Sequence, residues 1–371
     1  MEQGPLAAGE DRGPSPLAPR PIPLLTPDLP GTGGIVRAVP EDFRVEEIPL
    51  YQPSGAGDHL YLRVEKVRRT TQDVVRDLAR LLHVRERDVG VAGLKDLRAV
   101  AVQTVSVPLA PRVPAEEQVA RASVLSGPGF RVLSAARHGN KLRTGHLAAN
   151  RFEIVVRGCL SDAAERAEPI AARLRQRGAA NLFGQQRFGR RGDNAALGAT
   201  ILRREANVRD RFLRKLALSA LQAELFNRCL SDRIADGSFA RAIPGDVLRK
   251  RASGGLFVCE DPETDSRRVE SAEIDPAGPL PGHSLFAARG DALAREEAVL
   301  AEAGVDPATF AAGGGELAGA RRPYRIPADD LHIACAEPGV LLLRFTLPPG
   351  SYAASILREI VKTEVDEPAP G

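Results

Sequence analysis

The sequence predicts an α+β protein whose chain leaves a sheet domain and later re-enters it. Predicted strands and helices are interleaved without strict β-α-β alternation, which argues against a doubly wound parallel sheet. The clearest helix covers residues 209–234 and carries one apolar stripe at helical spacing. A strand over 340–347 follows after a long excursion and is expected to return to the first sheet. The stripe consists of Leu218, Leu221, Leu225 and Cys229.

The N-terminal region begins with a segment that differs from the rest in composition. Residues 1–33 are rich in Pro, Gly and Ala and show little apolar periodicity, so we predict a disordered and dispensable leader. Residues 35–39 and 43–48 are predicted as short strands. Residues 59–64 alternate apolar and polar side chains, which predicts a strand with one buried face.

A helix is predicted to begin at Thr70, because Thr70 and Asp73 form a capping box, and to end near His83. Prolines at 108, 111 and 114 predict a loop after the next strand. Further on, the pattern indicates strands over 130–135 and 150–157 and a helix over 163–177.

The remaining segments are shorter or less regular. Residues 181–194 lack a sustained period and are predicted as a loop. Residues 242–285 are predicted to contain short strands and turns. Helices are expected over 291–303 and 352–361.

Length and composition limit the class of protein. The 371 residues suffice for two domains, and no apolar run approaches the roughly 18 residues of a membrane span. There is no signal-peptide pattern at the N-terminus, so we expect a cytoplasmic protein with no membrane partner. The four cysteines form no CxxC pair, which favours buried thiols over a zinc site or disulfides.

Charge is segregated along the chain, although the net charge is only +3. Residues 181–215 hold nine basic and three acidic side chains, and residues 131–157 hold six and one. Residues 255–310 hold four basic and twelve acidic side chains. A charged run is often only a solvated face, but two basic runs around one candidate site also suit a polyanionic partner.

The candidate site lies in residues 90–107. Gly90 and Gly93 permit tight turns before a Val- and Thr-rich strand, and the turn presents Asp96 at the mouth of that strand. Lys95 and Arg98 are adjacent in sequence, and cations favour the ionised carboxylate that a nucleophile or base requires. Taken alone, Asp96 is better explained as a turn-forming residue.

Several short motifs lie at residues 40–46, 57–60, 92–96, 99–100, 103, 136–143, 150–152, 181–189, 347–353 and 358–359. Their order resembles that of the TruD family of tRNA pseudouridine synthases. The resemblance covers about residues 34–214 and 340–361 and thins between them. The family usually has Lys at Arg37 and Thr at Ala101, two departures that leave the carboxylate in place.

The resemblance implies a pseudouridine-synthase catalytic domain with an antiparallel or mixed sheet, interrupted by a family-specific α+β domain. We place the catalytic domain at 34–189, the insertion at 190–325, and the return with the C-terminal tail at 326–371. A monomer is expected.

The resemblance also implies the site. Asp96 matches the family's catalytic aspartate, which acts on a flipped-out uridine. Phe43 and Phe152 match positions near the flipped base, although both are equally explained as core residues. Asn150 could bind the base edge or orient Asp96, or it could be a turn residue. Substrate-binding residues are therefore predicted to be Arg37, Phe43, Lys95, Asn150, Phe152 and Tyr352.

The implied reaction is the isomerisation of uridine to pseudouridine at position 13, in the D-arm region of tRNA. Because no redox change occurs, no cofactor or metal is expected. Phosphate contacts are predicted from the two basic runs. A tRNA-folding chaperone on the same fold and a generic RNA-binding module are the alternatives. The predicted phosphate-binding residues are Arg137, Lys141, Arg143, Arg187, Arg190 and Arg191.

Overall fold

This computed structural model describes residue 17 and residues 20–189, 191–312 and 317–363. The chain divides into two compact units. The sheet unit comprises Leu24–Asn181 and Arg325–Gly371, and the inserted unit comprises Leu182–Tyr324 together with Met1–Pro23. The insertion thus begins at Leu182, whereas the sequence predicted residue 190. The Phe183 ring accounts for the shift, because it packs edge-on against Phe226 of the inserted unit at 5.6 Å.

The elements follow one another in chain order. The first segment of the sheet unit contains β1 (Ile35–Val36), β2 (Phe43–Pro49), β3 (His59–Val67), α1 (Thr71–Leu81), β4 (Gly90–Val91), β5 (Val100–Pro108), α2 (Ala115–Ser123), β6 (Ser126–Gly127), β7 (Phe130–His138), β8 (Leu147–Arg157), α3 (Ala163–Arg177) and β9 (Ala179–Ala180). The inserted unit contains α4 (Asn194–Leu202), α5 (Arg211–Ala235), β10 (Val247–Lys250), β11 (Leu256–Val258), α6 (Pro262–Glu270), β12 (Ile274–Leu280), α7 (Gly290–Glu302), α8 (Ala308–Ala312) and β13 (Ala320–Pro323). The sheet unit resumes with β14 (Arg325–Ile326), β15 (His332–Glu337), β16 (Val340–Leu347) and α9 (Ala354–Val361).

A mixed sheet forms the centre of the sheet unit and confirms the predicted α+β class. Its main strand order is β15-β16-β8-β2-β5-β3-β7-β6, with β1 paired to β8 and β4 paired to β5. Only the β2–β5 pairing is parallel among these strands. The predicted return is confirmed, because β16 pairs with β8 along its whole length, from Val340 opposite Arg157 to Leu347 opposite Asn150.

Two apolar clusters lie on one face of this sheet. One cluster joins β2, β8 and β16 to α3 and α9, and the other joins β3 and β5 to α1 and α2. Cross-strand partners share a face, and the register places Lys66, Ala101, Val45, Phe152 and Phe345 in one row across five strands. Val45, Ala101, Phe152 and Phe345 belong to the first cluster, and Lys66 extends the row onto β3, a strand of the second cluster.

Local sequence patterns predicted some of the helices but not all of them. Thr70 accepts a hydrogen bond from the backbone N–H of Asp73, and the Asp73 carboxylate accepts one from Thr70, which confirms the capping box. Four helices of the described chain were not predicted, namely α2, α4, α6 and α8. α2 follows directly after Pro114, and α6 begins at Pro262 behind the capping residue Asp261, so the prolines there start helices rather than loops.

The inserted unit has its own four-stranded antiparallel sheet, in the order β11-β10-β12-β13. Helix α5 packs against α4 at close range, because a Cβ at Gly198 would lie 2.3 Å from the carbonyl oxygen of Ala217. α5 also carries a buried ion pair between Glu224 and Arg228, with 2.8 Å between the nearest oxygen and nitrogen.

The predicted disordered leader is wrong for residues 24–33. The carboxylate of Glu359, fully buried on α9, accepts hydrogen bonds from the backbone N–H groups of Leu25 and Thr26 and from the Thr26 hydroxyl. Lys362 donates to the carbonyl oxygens of Thr26 and Leu29. These long-range bonds hold the segment against α9. Of the rest of the predicted leader, residues 17 and 20–23 are described and are grouped with the inserted unit, and residues 1–16 and 18–19 lie outside the described residues.

Candidate active site

The Asp96 loop runs from β4 to β5 and is held close to the segment before β8. A Cβ at Gly90 would lie 2.2 Å from the carbonyl oxygen of Leu142, so only glycine fits there. The backbone N–H of Gly145 donates to the carbonyl oxygen of Ala92 at 2.8 Å. Gly90 lies in β4 and its φ is not positive, so glycine is required there by the close approach of two backbone segments rather than by the predicted tight turn.

Arg37 provides the cation at the Asp96 carboxylate. Its Nη2 lies 3.2 Å from Asp96 Oδ2, with side-chain exposures of 11% for Arg37 and 36% for Asp96. The guanidinium also lies over the Phe43 ring, 3.8 Å from the centroid. Arg37 has a positive φ of 61°, a conformation uncommon outside glycine. The half-exposed carboxylate therefore forms a charge-assisted hydrogen bond with a largely buried guanidinium.

The sequence-based choice of Lys95 and Arg98 as the cations at Asp96 differs from this arrangement. Lys95 points into the protein, where its Nζ lies 2.9 Å from Glu47 Oε2 and both side chains are buried. Arg98 is exposed. Lys95 thus holds the loop to strand β2, and its predicted role in substrate binding stays a prediction.

Aromatic rings line the sheet beside this loop. Phe43 and Phe152 meet edge to face with centroids 6.0 Å apart, and Phe152 stacks on Phe345 at 5.3 Å. All three rings are buried. Sequence reasoning missed Phe345, although the alternation of buried residues along β16 marks it as inward-facing. The rings form an apolar wall next to Arg37.

Asn150 and Tyr352 belong to the same region of the sheet unit. Asn150 lies between Glu47 on β2 and Leu347 on β16. Its Oδ1 is buried and has no hydrogen-bond partner within the described residues, so an acceptor is available there. Tyr352 is half-buried at the turn into α9, and its carbonyl oxygen accepts a bond from Ser355.

Lys66 is a second residue at this site that sequence reasoning missed. It is fully buried on β3, and its ammonium donates to the carbonyl oxygens of Arg69, Lys95 and Asp96 at 2.7, 3.1 and 2.7 Å. A signal was present, since Lys66 continues the buried positions Leu62 and Val64 of the alternating strand. Burial lowers the pKa of Lys66 to about 8.

The predicted phosphate-binding residues lie in both units and differ in their exposure and in their contacts. On the sheet unit, Arg137 donates to the carbonyl oxygen of Gly57, Lys141 donates to that of Arg87, and Arg143 is exposed. In the inserted unit, the Arg187 guanidinium lies 5.5 Å from the Phe183 ring centroid. Arg191 is exposed, and Arg190 lies outside the described residues.

Two observations bear on metals and membranes. Within residues 20–189, 191–312 and 317–363, no three His, Cys, Asp or Glu side chains are grouped as metal ligands. No helix in the described part of the chain combines the length and apolar character needed to cross a membrane.

Comparison with solved structures defines the class of fold. A crystal structure of a Methanosarcina mazei protein assigned to tRNA pseudouridine synthase D superposes with a TM-score of 0.73, covering 94% of this chain and 97% of that one at 23% identity. The two proteins therefore share a fold.

Sequence comparison identifies the family. The family model "tRNA pseudouridine synthase D (TruD)" matches residues 22–209 and 206–360. The tRNA pseudouridine synthase D of Anaeromyxobacter sp. (strain Fw109-5) is 52% identical over 352 residues, covering 93% of this chain and 97% of the relative. That of a Thermus thermophilus strain is 42% identical over 357 residues, covering 95% and 97%. The chain belongs to the tRNA pseudouridine synthase D family.

Proposed function

We propose that this protein converts uridine to pseudouridine at position 13, in the D-arm region of tRNA, with Asp96 as the catalytic carboxylate. Membership of the family makes the protein a tRNA pseudouridine synthase, and the position and the role of Asp96 are the proposal. The observation that carries the catalytic role is the half-exposed Asp96 carboxylate paired with the buried Arg37 beside an apolar wall.

The reaction needs a carboxylate and a base that has left the RNA stack. The bond between C1′ and N1 breaks, the uracil turns, and C1′ joins C5, while C5 loses a proton and N1 gains one. Asp96 attacks C1′ or C6 or takes a proton from the sugar, and each route requires the ionised carboxylate beside Arg37. Phe43 and Phe152 supply the apolar wall for the flipped base.

Asn150 is suited to recognise the base edge. Uracil offers one N–H donor between two carbonyl groups, and the buried Oδ1 of Asn150 is an acceptor without a partner in the described residues. Leaving such an acceptor unpaired costs roughly 1–3 kcal/mol, which a bound uracil would recover.

The direct test is pseudouridine mapping on defined tRNA transcripts. The purified protein should form pseudouridine at position 13 of a transcript with uridine there and none in a transcript with cytidine at that position. Tight binding without any pseudouridine would instead favour a folding chaperone. Pseudouridine at another position would disprove the positional assignment.

The exposed cations of the inserted unit should set the salt dependence of tRNA binding. We expect Arg191→Ala, Arg209→Ala and Arg211→Ala together to weaken binding, because all three side chains are exposed in the basic run. The log–log slope should flatten by about 0.7–0.9 for each phosphate that is no longer neutralised. Binding isotherms at several salt concentrations measure this slope.

The matched control is Arg267→Ala, an exposed arginine of the acidic region that pairs with Glu263. It should leave the slope unchanged. Arg187 is left out of the set because its ring contact with Phe183 would make a loss of packing resemble a loss of binding. A triple variant with the parent slope would show that this surface faces away from the RNA.

A further inference from the structure

Lys66 fixes both peptide groups that flank the Asp96 Cα. The carbonyl of Lys95 belongs to the peptide group before that atom, and the carbonyl of Asp96 belongs to the one after it. Both accept hydrogen bonds from the Lys66 ammonium, at 3.1 and 2.7 Å. The third ammonium proton bonds to the carbonyl oxygen of Arg69 at 2.7 Å, so all three donors of Lys66 are used.

Two further attachments hold the neighbouring residue of the loop. The backbone N–H of Lys95 donates to Thr71 Oγ1 at 3.0 Å, and this hydroxyl donates to Gln103 Oε1 at 3.1 Å. Lys95 Nζ forms its ion pair with Glu47. The strands and α1 therefore hold the loop at separate points, all of them buried or partly buried.

A buried ammonium is an unusual way to hold a loop. Desolvating a positive charge is unfavourable, and a structural anchor could use a neutral amide or hydroxyl at lower cost. One ammonium that donates to both carbonyl oxygens beside a functional carboxylate fixes the orientation of the backbone there, which a single neutral donor cannot do. The arrangement therefore relates to the orientation of Asp96 as well as to folding.

We propose that Lys66 is a positioning residue, which aims the Asp96 carboxylate at the substrate by fixing the backbone on both sides of it. This inference rests on the proposed catalytic role of Asp96. Misplacing a reacting group by about 1 Å can lower a rate by as much as 100-fold, so the constraint matters for turnover.

The charge state of Lys66 gives a readout that a merely structural residue would lack. Burial lowers its pKa to about 8, with the Asp96 and Asp73 carboxylates opposing that shift and Lys95 adding to it. Arg69, which also contacts Lys66 through its carbonyl, pairs with Asp77. Deprotonation leaves two donors for three carbonyls, so kcat should fall as the pH rises through about 8.

The contribution of Lys66 to stability should increase with pH, whereas kcat should decrease. An unfolded lysine has a pKa of about 10.4, so between pH 8 and 10 the unfolded chain binds the Lys66 proton more tightly than the folded chain does. The contribution of Lys66 to the free energy of unfolding therefore rises with pH in this window. A falling kcat together with an undiminished Lys66 contribution to stability separates positioning from unfolding.

The experiment compares Lys66→Met with the parent on full-length protein and a tRNA transcript. Methionine keeps most of the length of the unbranched side chain and removes all donors. We expect kcat to fall about 10- to 100-fold, KM for tRNA to stay within about 2-fold because Lys66 is buried, and the alkaline fall in kcat near pH 8 to disappear. Arg63→Met is the matched control, since Arg63 lies on the same strand with its side chain partly exposed.

Each outcome of this experiment either supports or overturns the positioning role of Lys66. A folded Lys66→Met variant with parental kcat, or with the alkaline fall intact, overturns the proposal. If Lys66→Met does not fold, the test is made on the parent protein. A kcat that falls above pH 8 while the free energy of unfolding does not decrease supports positioning. A constant kcat, or a parallel decrease in kcat and in the free energy of unfolding, overturns the proposal. Activity of Asp96→Asn would instead count against the proposed function itself.

Discussion

Asp96→Asn should fold normally and form essentially no pseudouridine. Asparagine is nearly isosteric with aspartate, so the loop and its bonds to Lys66 through the backbone should persist. The amide cannot act as a carboxylate nucleophile or base. Binding of tRNA should be equal to that of the parent or slightly tighter, because a negative charge near the phosphates is removed.

The measurement combines three quantities on one preparation: pseudouridine yield, the Kd for tRNA and Tm. Asp58→Asn is the control, because Asp58 is an exposed aspartate of the same unit, outside the site. It should match the parent in all three. An active and well-folded Asp96→Asn would end the catalytic assignment and leave Asp96 as a turn-forming residue.

Deletion of Met1–Pro30 should strongly destabilise the protein. It removes the three donors that the Glu359 carboxylate accepts from Leu25 and Thr26, and it leaves that fully buried group without them. Stranding one partner of a buried charged interaction costs roughly 3–5 kcal/mol. For a unit of this size we expect the melting temperature to drop by on the order of 10 °C.

Two further variants test whether the loss of the Glu359 contacts causes this drop in melting temperature. Deletion of residues 1–16 removes none of these hydrogen bonds and should leave the melting temperature within about 2 °C of the parent. Glu359→Gln keeps the shape of the side chain and some acceptor capacity, so its loss should lie between the two deletions. Equal melting temperatures for the two deletions would show that the Glu359 contacts contribute little to stability.

The sequence by itself determined what depends on short-range chemistry. The capping box of Thr70 and Asp73, the alternation along β3 and the long helix α5 follow from patterns within a few residues, and all are present. The order of motifs was sufficient for the family and the α+β class. It also indicated Asp96, which the structure leaves half-exposed next to Arg37.

Only the tertiary structure decided which side chains meet at the site. Arg37 reaches Asp96 across 59 residues of sequence, and Lys95, its immediate neighbour, turns away to Glu47. Adjacency in sequence says little about which charges meet, because successive residues of an extended chain point in opposite directions. The ammonium of Lys66 could be assigned to the loop only once three strands and α1 were in place.

The order of the N-terminal segment also could not be predicted from its own sequence. Residues 24–33 have a Pro- and Gly-containing composition without apolar periodicity, and of their side chains Leu25 and Leu29 pack, partly buried, against the core. Their order comes from Glu359 and Lys362, more than 300 residues later in the chain. A segment that cannot stabilise itself is ordered when distant groups supply the hydrogen bonds, and no local pattern records those partners.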